Sequence, residues 1–325
     1  MIKKLDITTI ILTYNEELHI RRCLENVCPF SKKVYVIDSP SNDRTVEFCN
    51  EYPEVEVVVH KYPGNQAAQY NWAIDNLKIE TEWTMRIDAD EYYLPELVEE
   101  MQQKVPTLPA DVTGIEFKRR HIFMGKWVKH GIYPVVMLRM CRTGKGRYAD
   151  RLMDEHMVLK EGRSIVLDND FCDHSLINVS DYCRKHLDYA QREAAVILSE
   201  SYELKADSKQ SGQFSDLKED ETLGKQAEAK HKKKGGYNKL PLFWRSFAYF
   251  VFRYICKGGF LDGKEGFVFA FIQGWWFRMM VDVKILEARK ALAEKGIELK
   301  NSTVLDANGK GLLKEYILKE WKIKL

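Results

Sequence analysis

Cysteine is scarce and unpatterned in this chain: seven residues are scattered over 325, with no C-x-x-C pair. An odd, unpaired set excludes a disulfide framework and points to a reducing compartment, with Cys23, Cys28 and Cys49 read as small buried hydrophobes. Long apolar runs are also missing. The longest charge-free aromatic stretch, Gly266 to Phe277, is far shorter than the roughly 20 residues that cross a bilayer. The opening Met1-Ile2-Lys3-Lys4 leads directly into a β-rich run, so no signal peptide is expected. Charge of one sign is lacking overall, with a formal net of +2, and nothing global argues for nucleic acid. No internal repeat is evident. The expectation is a cytoplasmic protein whose contact with a membrane, if any, is peripheral.

What remains is an ordinary folding composition, 45% hydrophobic and 30% charged, with ample length for a large core. Charge is uneven along it. Residues 231–290 hold twelve Lys/Arg against four Asp/Glu, 12 − 4 = +8. Two acidic runs stand out more sharply: Asp88-Ala89-Asp90-Glu91 after an apolar stretch, and Asp154-Glu155-His156 further on. Clustered carboxylates are poorly tolerated in a core. At a strand end they indicate a cation or a proton to be managed.

The first half alternates strand and helix patterns. Residues 6–13, 33–37, 55–59 and 83–87 read as strands, and 16–27, 41–52 and 65–77 as helices. That alternation predicts an α/β fold, a mostly parallel sheet flanked by helices. Ligands of such sheets sit beyond the carboxyl ends of the strands. Tyr14-Asn15-Glu16, Asp38-Ser39 and Asp88–Glu91 all fall at those ends. After Pro95, residues 112–118, 135–140 and 157–159 read as strands of more antiparallel character, and 180–199 as a helix capped by Ser180. The expected division is 1–200 as the nucleotide-binding and catalytic domain, 201–239 as a polar insertion, and 240–325 as an aromatic and basic helical region. Asn301-Ser302 and Asp306–Gly309 read as turns before a final helix.

Asp88 and Asp90, two apart, would share one face of an extended chain. Two hard oxygen ligands there suit Mg²⁺ or Mn²⁺ bridging a diphosphate; the same pattern also occurs as a plain acidic turn, and its place after a fourth parallel strand favours the metal. Asp38 is placed to accept from a uracil imide, or to start a turn. Thr13–Glu17 fits a nucleotide loop and also helix capping by Asn15. Asp154 and Glu155 offer a general base for an acceptor hydroxyl, and His156 a third metal ligand or a diphosphate donor, with a surface loop as the alternative.

Thr13–Glu17, Val36–Ser39 with Ser41–Thr45, Asp88–Glu91 and Asp154–His156, in that order, resemble family 2 glycosyltransferases of the GT-A fold. Within that family the chain is most similar to bacterial lipopolysaccharide-core or capsule glucosyltransferases, through His174, Lys185-His186, Tyr189-Ala190, Arg192–Ala194 and the run Gly259–Gly266. The resemblance implies an inverting transfer of a hexose, glucose first, from a UDP-sugar. By carry-over Thr13, Tyr14, Asn15 and Glu16 line the base and ribose pocket with Asp38 on uracil. Asp88, Ala89 and Asp90 hold ribose and metal, and Asp154, ahead of Glu155, is the base. Lys185 and Arg192 are candidates for phosphate or acceptor contacts, or else solvated helix charges. Pro40 departs from the glycine usual at that position. The Q-x-x-R-W motif of processive synthases is absent, its nearest run being Gln273-Gly274-Trp275-Trp276, so one sugar per encounter is expected.

From Pro241 to Met280, fourteen aromatic residues are interrupted by Arg245, Arg253, Lys257, Lys264 and Arg278. Aromatic and basic enrichment together predicts an interfacial element on the inner face of the cytoplasmic membrane, presenting a glycan or lipid-linked acceptor. Helices packing on the catalytic domain or in a homodimer are the alternative. Two other functions compete. A sugar nucleotidyltransferase would place a glycine-rich basic loop where Tyr14-Asn15-Glu16-Glu17 stands, and a catalytically silent GT-A scaffold would not need both acidic runs.

Overall fold

The structure, a computed structural model, describes residues 3–149, 156–204, 237–238, 240–299 and 304–323. The chain divides into two units between Ile177 and Asn178.

The first unit is built on a nine-stranded sheet. Its amino-terminal half is a parallel run in the order β3-β2-β1-β4, made of β1 (Leu5–Thr13), β2 (Ser31–Asp38), β3 (Val55–Val59) and β4 (Trp83–Asp88). Between them run the helices α1 (Ile20–Val27), α2 (Thr45–Cys49) and α3 (Gln66–Asn76). Beyond β4 the sheet continues through β8 (Val135–Arg142), β6 (Val112–Phe123), β11 (Arg163–His174) and β5 (Glu91–Tyr93), with β7 (Lys126–Val128) paired to β6. The β6–β8 pair is antiparallel as expected, whereas β6 and β11 are parallel. A separate two-stranded ribbon joins β9 (Gly146–Tyr148) to β10 (Met157–Leu159). This is the mostly parallel α/β architecture expected of a GT-A domain.

The period of two in the strands explains the layering. Ile7, Ile11, Val34, Val36, Met85 and Ile87 face one side, where they pack with Ile20, Leu24 and Val27 of α1. They are joined there by Leu97 and Met101 of α4 (Pro95–Lys104). Ile10, Tyr35 and Ile37 face the other, against Ala67, Tyr70 and Ala73 of α3. Each fully buried aliphatic side chain contributes about 1.5–3 kcal/mol. The thiols of Cys23, Cys28 and Cys49 lie in this core, and burial pushes those of Cys28 and Cys49 up to about 12, so they behave as hydrophobes.

The second unit is helical: α5 (Val179–Ser201), α6 (Trp244–Val251), α7 (Gly263–Phe269), α8 (Phe277–Ala293) and α9 (Ala307–Trp321), with π-helical turns at Phe252–Cys256 and Ala270–Trp276. The expected boundary at 200 differs from this division. Ala190, Ala194, Ile197 and Leu198 of α5 share one core with Val281, Ile285 and Leu292 of α8 and with Leu313 and Ile317 of α9. The cap of α5 is Asn178, whose side chain accepts from Asp181 N, rather than Ser180. Asp306 begins no isolated turn; it caps α9 by accepting from Gly309 N at 2.7 Å. No helix of the described residues is long and apolar enough to cross a membrane. Most of the expected insertion at 201–239, and Asn301-Ser302, lie outside the described residues.

Candidate active site

Strand register sets the site. Thr13 is paired with Asp38 and Leu12 with Asp88, so β1, β2 and β4 end flush. The loops that follow β1 and β2 are fastened to each other. Asp38 is buried, 1% exposed, and its carboxylate accepts from Thr13 Oγ1 at 3.0 Å, Ser41 N at 2.8 Å and Ser41 Oγ at 2.5 Å. Ser41 Oγ accepts from Asn15 N, and Asn15 Oδ1 accepts from Asn42 N, both at 2.9 Å. Glu16 N donates to Thr45 Oγ1 at 2.7 Å. Asn15 is therefore not the cap of α1. It sits in left-handed backbone at φ 55°, a conformation asparagine tolerates, and its amide serves the neighbouring loop. Tyr14 stands out from this brace, 60% exposed.

The first acidic run is not extended throughout. β4 ends at Asp88, Ala89 and Asp90 form a turn, and Glu91 begins β5. The shared-face argument for Asp88 and Asp90 therefore fails, and the two carboxylates differ in setting. Asp88 is held at Oδ1 by Arg86 Nε, 3.0 Å, and at Oδ2 by Arg139 Nη2, 3.2 Å. Burial pushes its carboxyl up, but the two guanidiniums overcome that and hold it well below the usual carboxylate range. Arg139 also donates to Glu91 Oε1 at 2.7 Å, and Glu91 Oε2 accepts from Asp88 N at 2.9 Å. Burial drives the Glu91 carboxyl upward, opposed by Arg139. Asp90 is only half-buried, and its carbonyl oxygen accepts from Arg22 Nη2 and from His174 N, each at 3.0 Å. Arg22 also donates to His174 O at 2.6 Å.

Register extends the site across the sheet. Asp173 of β11 pairs with Glu91 on one side and His121 of β6 on the other. Like charges directly opposite are destabilising, and here nitrogen partners offset them: His121 Nδ1 lies 3.1 Å and Arg119 Nη1 3.3 Å from Asp173 Oδ2. Burial pushes the Asp173 carboxyl up, but His121 and Arg119 outweigh it and hold it down at about 2.

Asp154 and Glu155 lie outside the described residues; the ribbon formed by the strands before and after them is defined. His156 O accepts from Ala149 N at 3.0 Å, closing the β9–β10 ribbon. Asn71 of α3 clamps both backbone groups of Tyr148, at 2.9 and 3.0 Å. Arg86 stacks over the Tyr148 ring at 4.7 Å while holding Asp88. The β9–β10 ribbon is thus anchored, through Tyr148 and Arg86, beside the first acidic run. Lys185, exposed, and Arg192, half-buried, lie on α5 in the second unit.

Sequence reasoning passed over Arg22, Arg86, Arg139, Asp173 and His121. A signal was present for two of them: Arg86 and Arg139 are lone charges inside apolar strand patterns, where a charge is buried only with a partner. Nothing local marked the others.

A divalent ion fits this site in one way. Among the described residues no three His, Cys, Asp or Glu side chains form a cage, and both oxygens of Asp88 are taken by arginine. Asp90, half-buried in the turn that follows β4, would be the hard oxygen ligand, in the usual Mg²⁺ mode of one or two carboxylates completed by substrate phosphates and water.

A sheet that gathers paired carboxylates and guanidiniums at the ends of its parallel strands defines the class, an α/β domain for handling a phosphate-bearing ligand. Residues 8–158 match the family described as glycosyl transferase family 2, and the chain carries a domain of that family. It is 26% identical over 153 residues to lipopolysaccharide core biosynthesis glycosyltransferase LpsC of Rhizobium meliloti, covering 46% of this chain and 55% of that one. It is 34% identical over 91 residues to the SPbeta prophage-derived glycosyltransferase SunS of Bacillus subtilis, covering 28% and 21%. The match therefore spans about half the length of LpsC and a fifth of SunS. Among solved structures, a mannosyltransferase of Pyrobaculum calidifontis in complex with GDP-Man and Mn²⁺ aligns over 87% of each chain at 15% identity, TM-score 0.48. TarS residues 1–349 of S. aureus aligns over 90% and 93% at 14% identity, TM-score 0.43. Likeness at that level adds nothing to the assignment.

Proposed function

We propose that the chain is an inverting, non-processive glycosyltransferase that moves a hexose, glucose first, from a UDP-sugar to a glycan or lipid-linked acceptor of the cell envelope. The observation that carries this is the flush alignment of Thr13–Glu16, Asp38 and Asp88–Asp90 at three parallel strand ends in a family 2 domain. The braced loops at Thr13–Glu16 and Asp38–Thr45 form the nucleoside side of the site, with Tyr14 exposed for stacking and Asp38 oriented by Thr13 and Ser41. Asp88 sets the turn through Arg86 and Arg139, and Asp90 presents its carboxylate to the metal. Mg²⁺ or Mn²⁺, when bound, neutralises charge developing on the departing diphosphate. In the segment between β9 and β10, whose ribbon Asn71 fastens, Asp154, with Glu155 as the alternative, takes the proton of the attacking hydroxyl. Attack from the face opposite the diphosphate gives inversion.

The acceptor side follows from the second unit. Trp244 is 72% exposed and Phe252, Ile255, Phe260 and Leu261 are exposed with it, beside exposed Lys257 and Lys264. An aromatic and basic surface of this kind suits the headgroup layer, and we place the protein at the inner face of the cytoplasmic membrane. LpsC, by its name, acts in lipopolysaccharide core assembly, which supports an envelope acceptor. Lys185 and Arg192 are assigned to phosphate or acceptor contacts, and a homodimer is the proposed assembly.

The test is thermal unfolding and donor hydrolysis with Mn²⁺ and a panel of UDP- and GDP-sugars, with the wild type and Asp90→Ala. Stabilisation by UDP-sugars that disappears in Asp90→Ala supports the reading. A response to a nucleoside triphosphate with a sugar phosphate points to nucleotidyl transfer, and silence towards every nucleotide sugar overturns the proposal.

A further inference from the structure

The second unit contains charge that its described residues do not balance. Arg253, in the π-helical turn Phe252–Cys256, is 8% exposed, and Arg278 opens α8 just after the other π-helical turn. Both converge on Tyr249 of α6: Arg278 Cζ lies 3.9 Å from the ring centroid and Arg253 Cζ 5.6 Å. Arg278 also lies 5.0 Å from the Tyr237 ring, and Arg253 5.4 Å from that of Phe269. Among the described residues neither guanidinium has an ion-pairing carboxylate, and the Nε–H of each is buried without a hydrogen-bond partner. The acid near them, Asp282, is fully buried and already committed to Arg245, at 2.5 and 2.7 Å, and to Phe243 N.

Such an arrangement costs stability, because a charge taken out of water without a counter-charge loses hydration that hydrogen bonds to the Tyr249 and Tyr237 hydroxyls replace only in part. Aromatic faces offset only part of it. The local electrostatics agree with the geometry. Burial and the like charge of Arg278 push the Arg253 guanidinium down. Burial pushes the Tyr249 phenol up, but the two cations outweigh it and hold it below the ordinary tyrosine range. Tyr249 and Arg278 are half-buried rather than sealed, so the cluster has an open side. π-helical turns, which are rare and collect at functional sites, carry or adjoin both arginines.

We infer that Arg253 and Arg278, with the hydroxyls of Tyr249 and Tyr237, form a binding site for a phosphate group. Two guanidiniums supply the planar, multiple N–H donors that phosphate oxygens take best. The phenol hydroxyls supply further donors, and the ligand provides the missing negative charge. The site lies in the second unit and holds whether or not the family 2 domain transfers a sugar. A membrane phospholipid headgroup and a soluble or acceptor-borne phosphate share this chemistry.

The experiment uses the full chain, with thermal unfolding in phosphate-free buffer, in inorganic phosphate and pyrophosphate, and with phosphatidylglycerol or phosphatidylcholine vesicles. Wild type is expected to rise by roughly 5 °C at saturating phosphate. Arg253→Met with Arg278→Met is expected to lose that rise while melting higher than wild type without phosphate, since removing unpaired buried charge is stabilising; a merely structural role for the arginines would lower it. Arg278→Lys, which keeps the charge, is expected to retain a weakened response and serves if the double variant does not fold. Binding to phosphatidylglycerol vesicles that the double substitution abolishes identifies a headgroup, and a response to phosphate without vesicle binding identifies a soluble group. No response of wild type to any of these anions, or an equal response in the variants, overturns the inference. Nucleotide-sugar binding, measured in parallel, is expected to be unchanged by these substitutions, so failure of this site and of the donor site are read separately.

Discussion

Arg22 donates from Nη2 to the carbonyl oxygen of Asp90 across 3.0 Å. One guanidinium on α1 thereby ties the helix that follows the Thr13–Glu17 loop to the turn that presents the candidate metal ligand. Arg22→Gln is expected to release that turn, weakening Mn²⁺ and UDP binding about tenfold. The lost charge-assisted bonds are worth about 1.5–3 kcal/mol of stability. Isothermal titration and urea unfolding check the two effects, and unchanged binding with lowered stability would reduce Arg22 to a packing role.

Arg139 lies between Asp88 and Glu91. Arg139→Ala leaves the buried Glu91 carboxylate without its counter-charge and is expected to cost about 3–5 kcal/mol. Replacing Arg139 and Glu91 together by Met removes the buried pair, while Asp88 keeps Arg86, and is expected to recover most of the loss. Denaturant unfolding of the single and double variants measures the coupling; simple additivity of the two substitutions would contradict it.

The Asp173 carboxyl, held at about 2 against an ordinary 3.8, makes stability depend on pH in a defined direction. Its folded value is depressed, so the unfolded state binds the proton more readily in that window. The contribution is fully present above pH 3.8 and is lost as pH falls towards 2. A shift of this size corresponds to about 2 kcal/mol. Asp173→Asn is expected to flatten the acid limb of the stability–pH curve, and an unchanged limb would show that other carboxylates set it.

Asn71 holds Tyr148 of β9, in the ribbon whose strands precede and follow Asp154 and Glu155 in the chain. Asn71→Ala leaves the buried N–H and C=O of Tyr148 without partners, expected to cost about 1–3 kcal/mol. If the base resides in the segment between β9 and β10, kcat falls while affinity for UDP and Mn²⁺ is kept. An equal loss in kcat and donor binding would place the ribbon's effect on the nucleotide side instead.

Membrane contact is tested by liposome flotation of wild type against Trp244→Ser with Phe260→Ser. Both side chains are exposed, 72% and 52%, so the substitutions are expected to leave the melting temperature unchanged and to lower the bound fraction severalfold. Equal flotation would remove the interfacial assignment.

Much of this protein was legible in the order of its residues. Alternating apolar runs marked β1 to β4 to within two residues, because a strand covered on both faces needs apolar side chains at every position. The acidic run after β4 was visible for the same reason: carboxylates following Trp83–Ile87 break the apolar pattern. Local sequence did not say that Asp88 is held by two arginines. That was decided by Arg139, 51 residues away, and by a turn that ends the extended geometry at Asp88. The capping role of Asn15 was misjudged because its partner, Asn42, lies on a different loop. Asp173 and His121 met only through the parallel pairing of β6 and β11, a relation between distant segments that no local period encodes.

The sequence by itself determined the alternation of strand and helix, the strand ends where ligands gather, and the basic, aromatic character of the carboxyl-terminal region. Tertiary structure alone decided the charge partners. It gave Asp88 two arginines and left Asp90 half-open, and it seated α5 in the second unit through an alanine-lined face. It also gathered Arg253 and Arg278 around Tyr249 with no carboxylate paired to them among the described residues. The physical reason is the same in each case: backbone periodicity is a local property, whereas the fate of a buried charge depends on what the fold brings within a few ångströms of it.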